Sequence, residues 1–197
     1  MRVTQPLSPY RDRLRKSEWA VRPVSLAVCQ DIVAREHYAG GGSNTATYRH
    51  GLFELARPAR IRGVAWWIPP TRAAAQAIYP EDWQGVLALS RLAIEPDVPK
   101  NAATFLLARS RRMIDRHRWP CLVTYADEWQ GHDGLIYRLT GWTEDGRTAP
   151  EATWVRDGVM MSRKAGPRTR TKAEMEELGA DMVGRFVDRR GIGGACG

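Results

Sequence analysis

The chain has 197 residues and a mass of 22.2 kDa, with 43% hydrophobic and 26% charged residues, which suits one domain that can bury its own core. It contains no run of about 18 apolar residues, no apolar stretch after Met1-Arg2-Val3-Thr4-Gln5-Pro6 to serve as a secretory signal, and only three widely spaced cysteines (Cys29, Cys121 and Cys196). These features exclude a membrane-spanning helix, a disulfide scaffold and a cysteine zinc site, and fit a reducing cytoplasm. Thirty basic residues against 22 acidic ones leave a formal charge of +8 and a pI near 9.9, which points to a polyanionic partner, nucleic acid first.

From the N-terminus, residues 1–18 read as a basic, proline-containing arm. Ala20 to Val24 predicts a first strand. Ser25 is a natural N-cap for a helix running to about Glu36, with Val28, Cys29, Ile32 and Val33 on one side. The glycines of His37-Tyr38-Ala39-Gly40-Gly41-Gly42 end that helix. Thr45 to Leu55 and Ile61 to Ile68 read as two strands, and Thr71 to Ile78 as a short helix after Pro69-Pro70. The apolar run Gly85 to Ile94 reads as a central strand covered on both faces. A helix from Ala102 to about His117 should bury Ala103, Leu106, Leu107, Ser110 and Ile114, with Arg109, Arg112 and Arg116 on another face. Cys121 to Asp127 reads as a second buried strand with a polar tip, and His132 to Thr140 as a short helix ended by Gly141. A late strand is expected over Thr153 to Ser162. Thr171 and Glu174 form a capping box for a last helix with Met175, Leu178, Met182 and Phe186 inward. Residues 19–190 are then one catalytic domain, and 191–197 a disordered tail.

This order predicts a single α/β domain with a mixed central sheet flanked by helices. Strands 86–94 and 121–127, joined by a helix, should lie parallel through a right-handed crossover. Ligands collect beyond the carboxyl ends of such strands, which would gather Asp127, the 95–104 loop and the 37–42 loop around one cleft. The turn Pro99-Lys100-Asn101-Ala102-Ala103-Thr104 opens the crossover helix, whose first amides and dipole favour an anion. Lys100 adds charge, and Asn101 or Thr104 would cap the helix or meet a phosphate oxygen. Two basic clusters, Arg109 to Arg118 and Arg156 to Lys172, make Arg109, Arg112, Arg116, Arg163, Lys164, Arg168 and Arg170 the candidate contacts to a DNA backbone. Each cluster alone is more often just a solvated face.

Tyr137-x-x-x-Gly141-Trp142, near the end of a βα unit, resembles the last helix of the GNAT acyltransferase fold. The resemblance implies a general-acid role for Tyr137 on the leaving group. His37-Tyr38-Ala39-Gly40, Leu89-Ser90-Arg91-Leu92, Pro99-Lys100-Asn101 and Tyr125-Ala126-Asp127, followed by Gly131-His132-x-Gly134-x-x-Tyr137, together resemble the Mom family of GNAT-like phage proteins over about residues 32–142. That resemblance implies conversion of adenine in double-stranded DNA to a carbamoylmethylated base that protects the DNA from restriction. One feature departs from acyl-CoA-binding GNAT proteins. The segment Val98 to Ala103 lacks their glycines, and Pro99 has no amide to donate to a pyrophosphate. The donor is therefore either acetyl-CoA or an aminoacyl-tRNA such as glycyl-tRNA.

The exocyclic amine of adenine is a weak nucleophile and gains from a base. Asp127 is the first candidate, with a helix cap as its other reading, and His37 is the second. Tyr38 would stack on an extruded base or pack. Tyr125 would hydrogen-bond substrate or enter the core, and Arg91 would meet the donor carbonyl or phosphate or form an ion pair. His37, His132 and Asp127 also form the ligand set of a non-haem iron site, at no recognised spacing. The alternatives to a DNA-modification enzyme are a conventional acetyltransferase of a protein or small amine, and a non-catalytic DNA-binding protein.

Overall fold

In the computed structural model, which describes residues 13–37, 45–127, 134–148, 151–161, 163–165, 168–185 and 187–192, local chemistry sets most elements. Strand β1 (Trp19–Pro23) leads to α1 (Leu26–Glu36), where the Ser25 side chain accepts from the Val28 N–H and Cys29, Ile32 and Val33 are buried. Strands β2 (Tyr48–Glu54) and β3 (Ile61–Ile68) follow. Helix α2 (Arg72–Ile78) is capped by the Thr71 side chain. Then come β4 (Val86–Ile94), α3 (Ala102–Arg112), β5 (Cys121–Asp127), the single turn α4 (Leu135–Arg138) and β6 (Thr143–Arg147). Residues 151–185 add β7 (Glu151–Arg156), β8 (Val159–Met161), β9 (Lys164–Ala165), β10 (Arg168–Thr169), α5 (Lys172–Glu177) and β11 (Asp181–Arg185). Strand β12 (Val187–Ile192) closes the described chain.

One seven-stranded sheet runs β1-β2-β3-β4-β5-β12-β6. Every neighbouring pair is antiparallel except β4 and β5, the parallel pair joined by α3. Apolar residues on both faces explain the continuous hydrophobic runs. Val64 and Trp66 of β3 pack with Cys29, Ile32 and Val33 of α1, while Ala65 and Trp67 pack with Phe105, Leu106 and Leu107 of α3. Segments 148–186 fall between β6 and β12. Within them β11, β7 and β8 form a separate three-stranded sheet, with Trp154, Met175 and Ala180 as its small core. Among the described residues no helix is long and apolar enough to cross a membrane.

Four expectations are corrected. Helix α3 ends at Arg112 rather than His117, because Asp115 Oδ1 accepts the N–H groups of His117 (2.9 Å) and Arg118 (3.3 Å) and so competes with helical bonding. The strand expected over Thr153 to Ser162 is a hairpin, broken at Asp157 and Gly158, whose φ angles are +51° and +77°. That Asp-Gly pair suits a two-residue hairpin turn. The Thr171–Glu174 capping box is present, but α5 stops at Glu177 and Gly179 turns at φ +70°. Residues 181–185 then pair with β7, so only Met175 is buried, while Leu178 and Met182 are exposed; Phe186 lies outside the described residues. Finally, Gly191 and Ile192 belong to β12, which is inserted between β5 and β6; residues 193–197 lie outside the described residues. Val187-Asp188-Arg189-Arg190 shows no apolar alternation because Arg190 occupies a buried position, with its guanidinium 3.3 Å from Glu144.

A buried polar chain ties β2, β3 and α3 together. Trp67 Nε1 donates to Ser110 Oγ (2.8 Å), which lies 2.7 Å from His50 Nδ1. His50 is 2% exposed, and burial lowers its pKa from 6.5 to about 4. Between those values the unfolded chain binds a proton that the folded chain refuses. This part of the stability is therefore complete above about pH 6.5 and is lost as pH falls toward 4, by up to ~3 kcal/mol. Urea unfolding at pH 7 and at pH 4.5 should show the loss, and a His50→Gln variant should lack this part of it.

Candidate active site

Strands β4 and β5 pair only from Val86 to Ala88 against Cys121 to Val123. Beyond that point they diverge. The cause lies on the opposite edge of β4, where Trp66 faces Arg91 and Trp67 faces Leu89, leaving Ser90 as the extra residue of a bulge. A bulge bends its strand and increases the local twist, and here it turns β4 away from β5. The opened edges border a cleft of about 380 Å³.

The cleft is lined by Glu36 and His37 at the end of α1, Ser90 and Arg91 at the bulge, Tyr125 on β5 and Tyr137 on α4. Four candidates from distant parts of the sequence, His37, Arg91, Tyr125 and Tyr137, thus meet at one place. The His37 N–H donates to the Val33 carbonyl (3.0 Å), which fixes the residue at the helix end. Arg91 donates to the Ser90 carbonyl (2.7 Å), which folds its guanidinium back along the bulge. The Tyr125 phenol has its pKa raised by burial, with Arg189 opposing and Asp145 adding to the shift. It is therefore a hydrogen-bond donor at neutral pH. Tyr137 is 8% exposed. Its ring stands edge-on to Trp142 at 6.1 Å, and Trp142 stacks on Trp67 at 6.2 Å, so the phenol is held by the core. Gly134 precedes α4 at φ +69°, and a Cβ there would strike the Arg190 guanidinium. Only glycine satisfies both constraints.

Other candidates lie elsewhere. Asp127 is 3% exposed at the end of β5, opposite Val187, and does not line the cleft. Tyr38 and His132 lie outside the described residues. Lys100 is exposed and lines neither this cleft nor the groove described next. Among the described residues no group of three His, Cys, Asp or Glu side chains could hold a metal ion.

A second groove of about 350 Å³ lies along α3, lined by Lys16, Asn101, Thr104, Phe105, Arg109, Arg111, Arg112 and Thr140. Asn101 does not cap α3 with its side chain; its Oδ1 accepts the Leu14 N–H (2.7 Å). Thr104 Oγ1 donates to the Asn101 carbonyl (2.9 Å). Among the described residues none of Lys16, Arg109, Arg111 and Arg112 has a carboxylate partner. Burial lowers the pKa of Arg111, and the neighbouring Arg112 charge adds to the shift. Arg116 lies outside this groove. Its guanidinium donates to the carbonyls of Pro120 and Ile192, staking the end of α3 to the sheet. On the 148–186 segment, Arg163 Nε donates to the Arg170 carbonyl (2.9 Å) and Arg168 pairs with Glu174 (2.7 Å), while Lys164 lies in β9.

Glu36 and Ser90 in the cleft, and Lys16 and Arg111 in the groove, were not among the sequence candidates. Glu36 sits beside His37 and could have been noticed on that ground. Arg111 belongs to the basic run, but its direction depends on packing against Thr140, to whose carbonyl it donates (2.9 Å).

The fold is shared with solved acetyltransferases at low sequence identity. A GNAT family acetyltransferase from Elizabethkingia anophelis with acetyl-CoA bound aligns at TM-score 0.55 and 10% identity, covering 90% of this chain and 99% of that one. The IAA acetyltransferase from Bacillus cereus aligns at TM-score 0.54 and 8% identity, covering 88% and 98%. A mutant spermidine N-acetyltransferase from Vibrio cholerae aligns at TM-score 0.53 and 12% identity, covering 90% and 94%. No curated protein sequence matches the chain. The profile of the Mom protein family matches residues 18–189. On a GNAT fold opened at the Ser90 bulge, with Arg91, Tyr125 and Tyr137 at the opening, the chain belongs to the Mom protein family, which supports a role in DNA modification.

Proposed function

We propose that the protein is a transferase that places a glycyl-type group on the exocyclic amine of adenine in DNA and yields a carbamoylmethylated base, protecting the DNA from restriction. The observation that carries this reading is the convergence of His37, Arg91, Tyr125 and Tyr137 on the opening between β4 and β5. In an acyl-transfer step the adenine amine forms a bond to the donor carbonyl carbon. Arg91 and the Tyr125 hydroxyl are suited to the developing oxyanion, where preorganised donors lower the barrier. The carbon–oxygen bond to the leaving group then breaks, and Tyr137 supplies the proton to that oxygen. His37, in the cleft, is better situated than buried Asp127 to accept the proton from the adenine amine.

The product of that step, adenine-NH-CO-CH2-NH2, is a constitutional isomer of adenine-NH-CH2-CO-NH2. The free glycyl amine can form a bond to C6 of the purine through a five-membered spiro intermediate. The original bond from C6 to the exocyclic nitrogen then breaks, and one proton moves between the two nitrogens. Atoms and electrons balance without an oxidant or reductant. Glycyl-tRNA is the favoured donor, because the 98–103 segment has no glycine and Pro99 has no amide for a pyrophosphate, whereas the α3 groove offers four cations without carboxylate partners among the described residues. That groove, with Arg163, Lys164, Arg168 and Arg170, is the candidate nucleic-acid surface. An acetyltransferase acting on another amine is the second reading, favoured by the shared fold.

The test is expression in a bacterium fed nitrogen-labelled glycine, followed by digestion of its DNA to nucleosides and mass spectrometry. The expected result is a deoxyadenosine heavier by one glycyl residue, with the glycine nitrogen attached to C6 of the purine and the original adenine nitrogen in the terminal amide. A label confined to the terminal amide would rule out the rearrangement. Ordinary nucleosides together with tight acetyl-CoA binding would move the protein to the second reading.

A further inference from the structure

The ion network beside the cleft lacks one cation. Arg35 lies 3.3 Å from Asp31, 3.3 Å from Glu36 and 3.5 Å from Glu95. Arg60 and Arg62 share Glu95 and Asp97 at 2.8 to 3.8 Å. Among the described residues, four carboxylates therefore meet three guanidiniums, a local deficit in a chain whose formal charge is +8. Glu95 has two closer partners, Arg60 at 2.9 Å and Arg62 at 3.0 Å, and Asp97 has Arg62 at 2.8 Å. The uncompensated charge falls on Asp31 and Glu36, which among the described residues have Arg35 alone between them. The Asp31 side chain is 66% exposed, so water solvates it. The Glu36 side chain is 20% exposed and lines the cleft that Arg91 also lines.

A largely buried carboxylate whose one arginine partner is shared with two other carboxylates gains when a cation from the ligand joins it. Arg91 supplies the opposite sign in the same cleft. A carboxylate and a guanidinium around about 380 Å³ match a ligand with an ammonium at one end and a carbonyl oxygen at the other. An acetyl group presents the carbonyl but no ammonium. We propose that Glu36 binds the ammonium of an α-aminoacyl donor while Arg91 meets its carbonyl oxygen, so that the cleft selects aminoacyl over acetyl groups. This rests on the aminoacyl-donor reading above and assigns its selectivity to one side chain.

The experiment compares two stable amides by calorimetry. One is 3′-glycylamino-3′-deoxyadenosine, which mimics the charged end of an aminoacyl-RNA, and the other is its 3′-acetylamino counterpart. The wild-type protein should bind the glycyl amide about 10- to 100-fold more tightly, the scale of one charge-assisted hydrogen bond. Glu36→Gln should erase that preference while leaving the acetyl amide's affinity unchanged, and Glu36→Asp should restore part of it. The isosteric Glu36→Gln variant should melt with the wild type, because the ion pair it removes is with a half-exposed arginine. A Glu36→Gln protein that keeps the preference overturns the assignment to Glu36 and leaves the aminoacyl reading intact. Equal binding of both amides by the wild type, with tight acetyl-CoA binding, overturns the aminoacyl reading itself.

Discussion

Tyr137→Phe is expected to slow DNA modification by about 10²- to 10⁴-fold, the usual contribution of a positioned general acid. The variant removes one oxygen and little else. The ring keeps its edge-on contact with Trp142, and Trp142 keeps its stacking on Trp67. The leaving oxygen of an ester donor departs as a basic alkoxide unless a proton arrives with bond cleavage, which is why loss of the hydroxyl should act on rate. Substrate affinity and melting temperature should stay near the wild-type values. Modified deoxyadenosine per total deoxyadenosine, followed over time by mass spectrometry, gives the rate. A Tyr137→Phe protein that modifies DNA at the wild-type rate would move the acid to Tyr125, whose phenol burial keeps protonated in the same cleft.

Arg109→Ala combined with Arg112→Ala is expected to weaken nucleic-acid binding about tenfold or more near ~0.15 M salt. It should also reduce the slope of log affinity against log salt by about 2, one unit for each phosphate left without its arginine. Both side chains border the α3 groove, and neither has a carboxylate partner among the described residues. Folding has no ion pair to lose there, and removing Arg112 relieves the charge pressing on Arg111. Stability should therefore hold or rise while binding falls. Arg116→Ala is the contrasting control. Its guanidinium anchors to the Pro120 and Ile192 carbonyls, so it should lower the melting temperature and leave the salt slope nearly unchanged. Titrations of labelled RNA and duplex DNA at several salt concentrations read both effects.

Much of the frame was legible from local chemistry. Ser25 and Thr71 cap their helices through a hydroxyl that reaches an amide three residues on, an interaction complete within one turn. The apolar runs Ile61–Ile68 and Cys121–Asp127 coincide with strands β3 and β5, because side chains buried on both faces leave a continuous apolar run. The parallel pairing of β4 and β5 follows from their connection through a crossover helix. The motifs around Arg91, Tyr125 and Tyr137 were visible as residue types in order.

Other features depended on contacts between distant residues. The opening of the sheet at Ser90 comes from a register shift against Trp66 and Trp67, which nothing in β4 alone announces. Glu36 became a cleft residue only when α1 packed beside β4 and its neighbouring cation, Arg35, was shared with Asp31 and Glu95. Asp127 looked available at a strand tip but is buried once β12 pairs beside it. Strand β12 carries no apolar signature because its buried Arg190 is compensated by Glu144 and by the space at Gly134, two partners remote in sequence. Local sequence thus specified the elements whose stabilising partners lie within a turn or a strand, together with the chemistry available to the site. Which of those groups share a cleft, which are buried and which charges go uncompensated emerged only on folding, because burial and Coulomb energy depend on distance in space rather than along the chain.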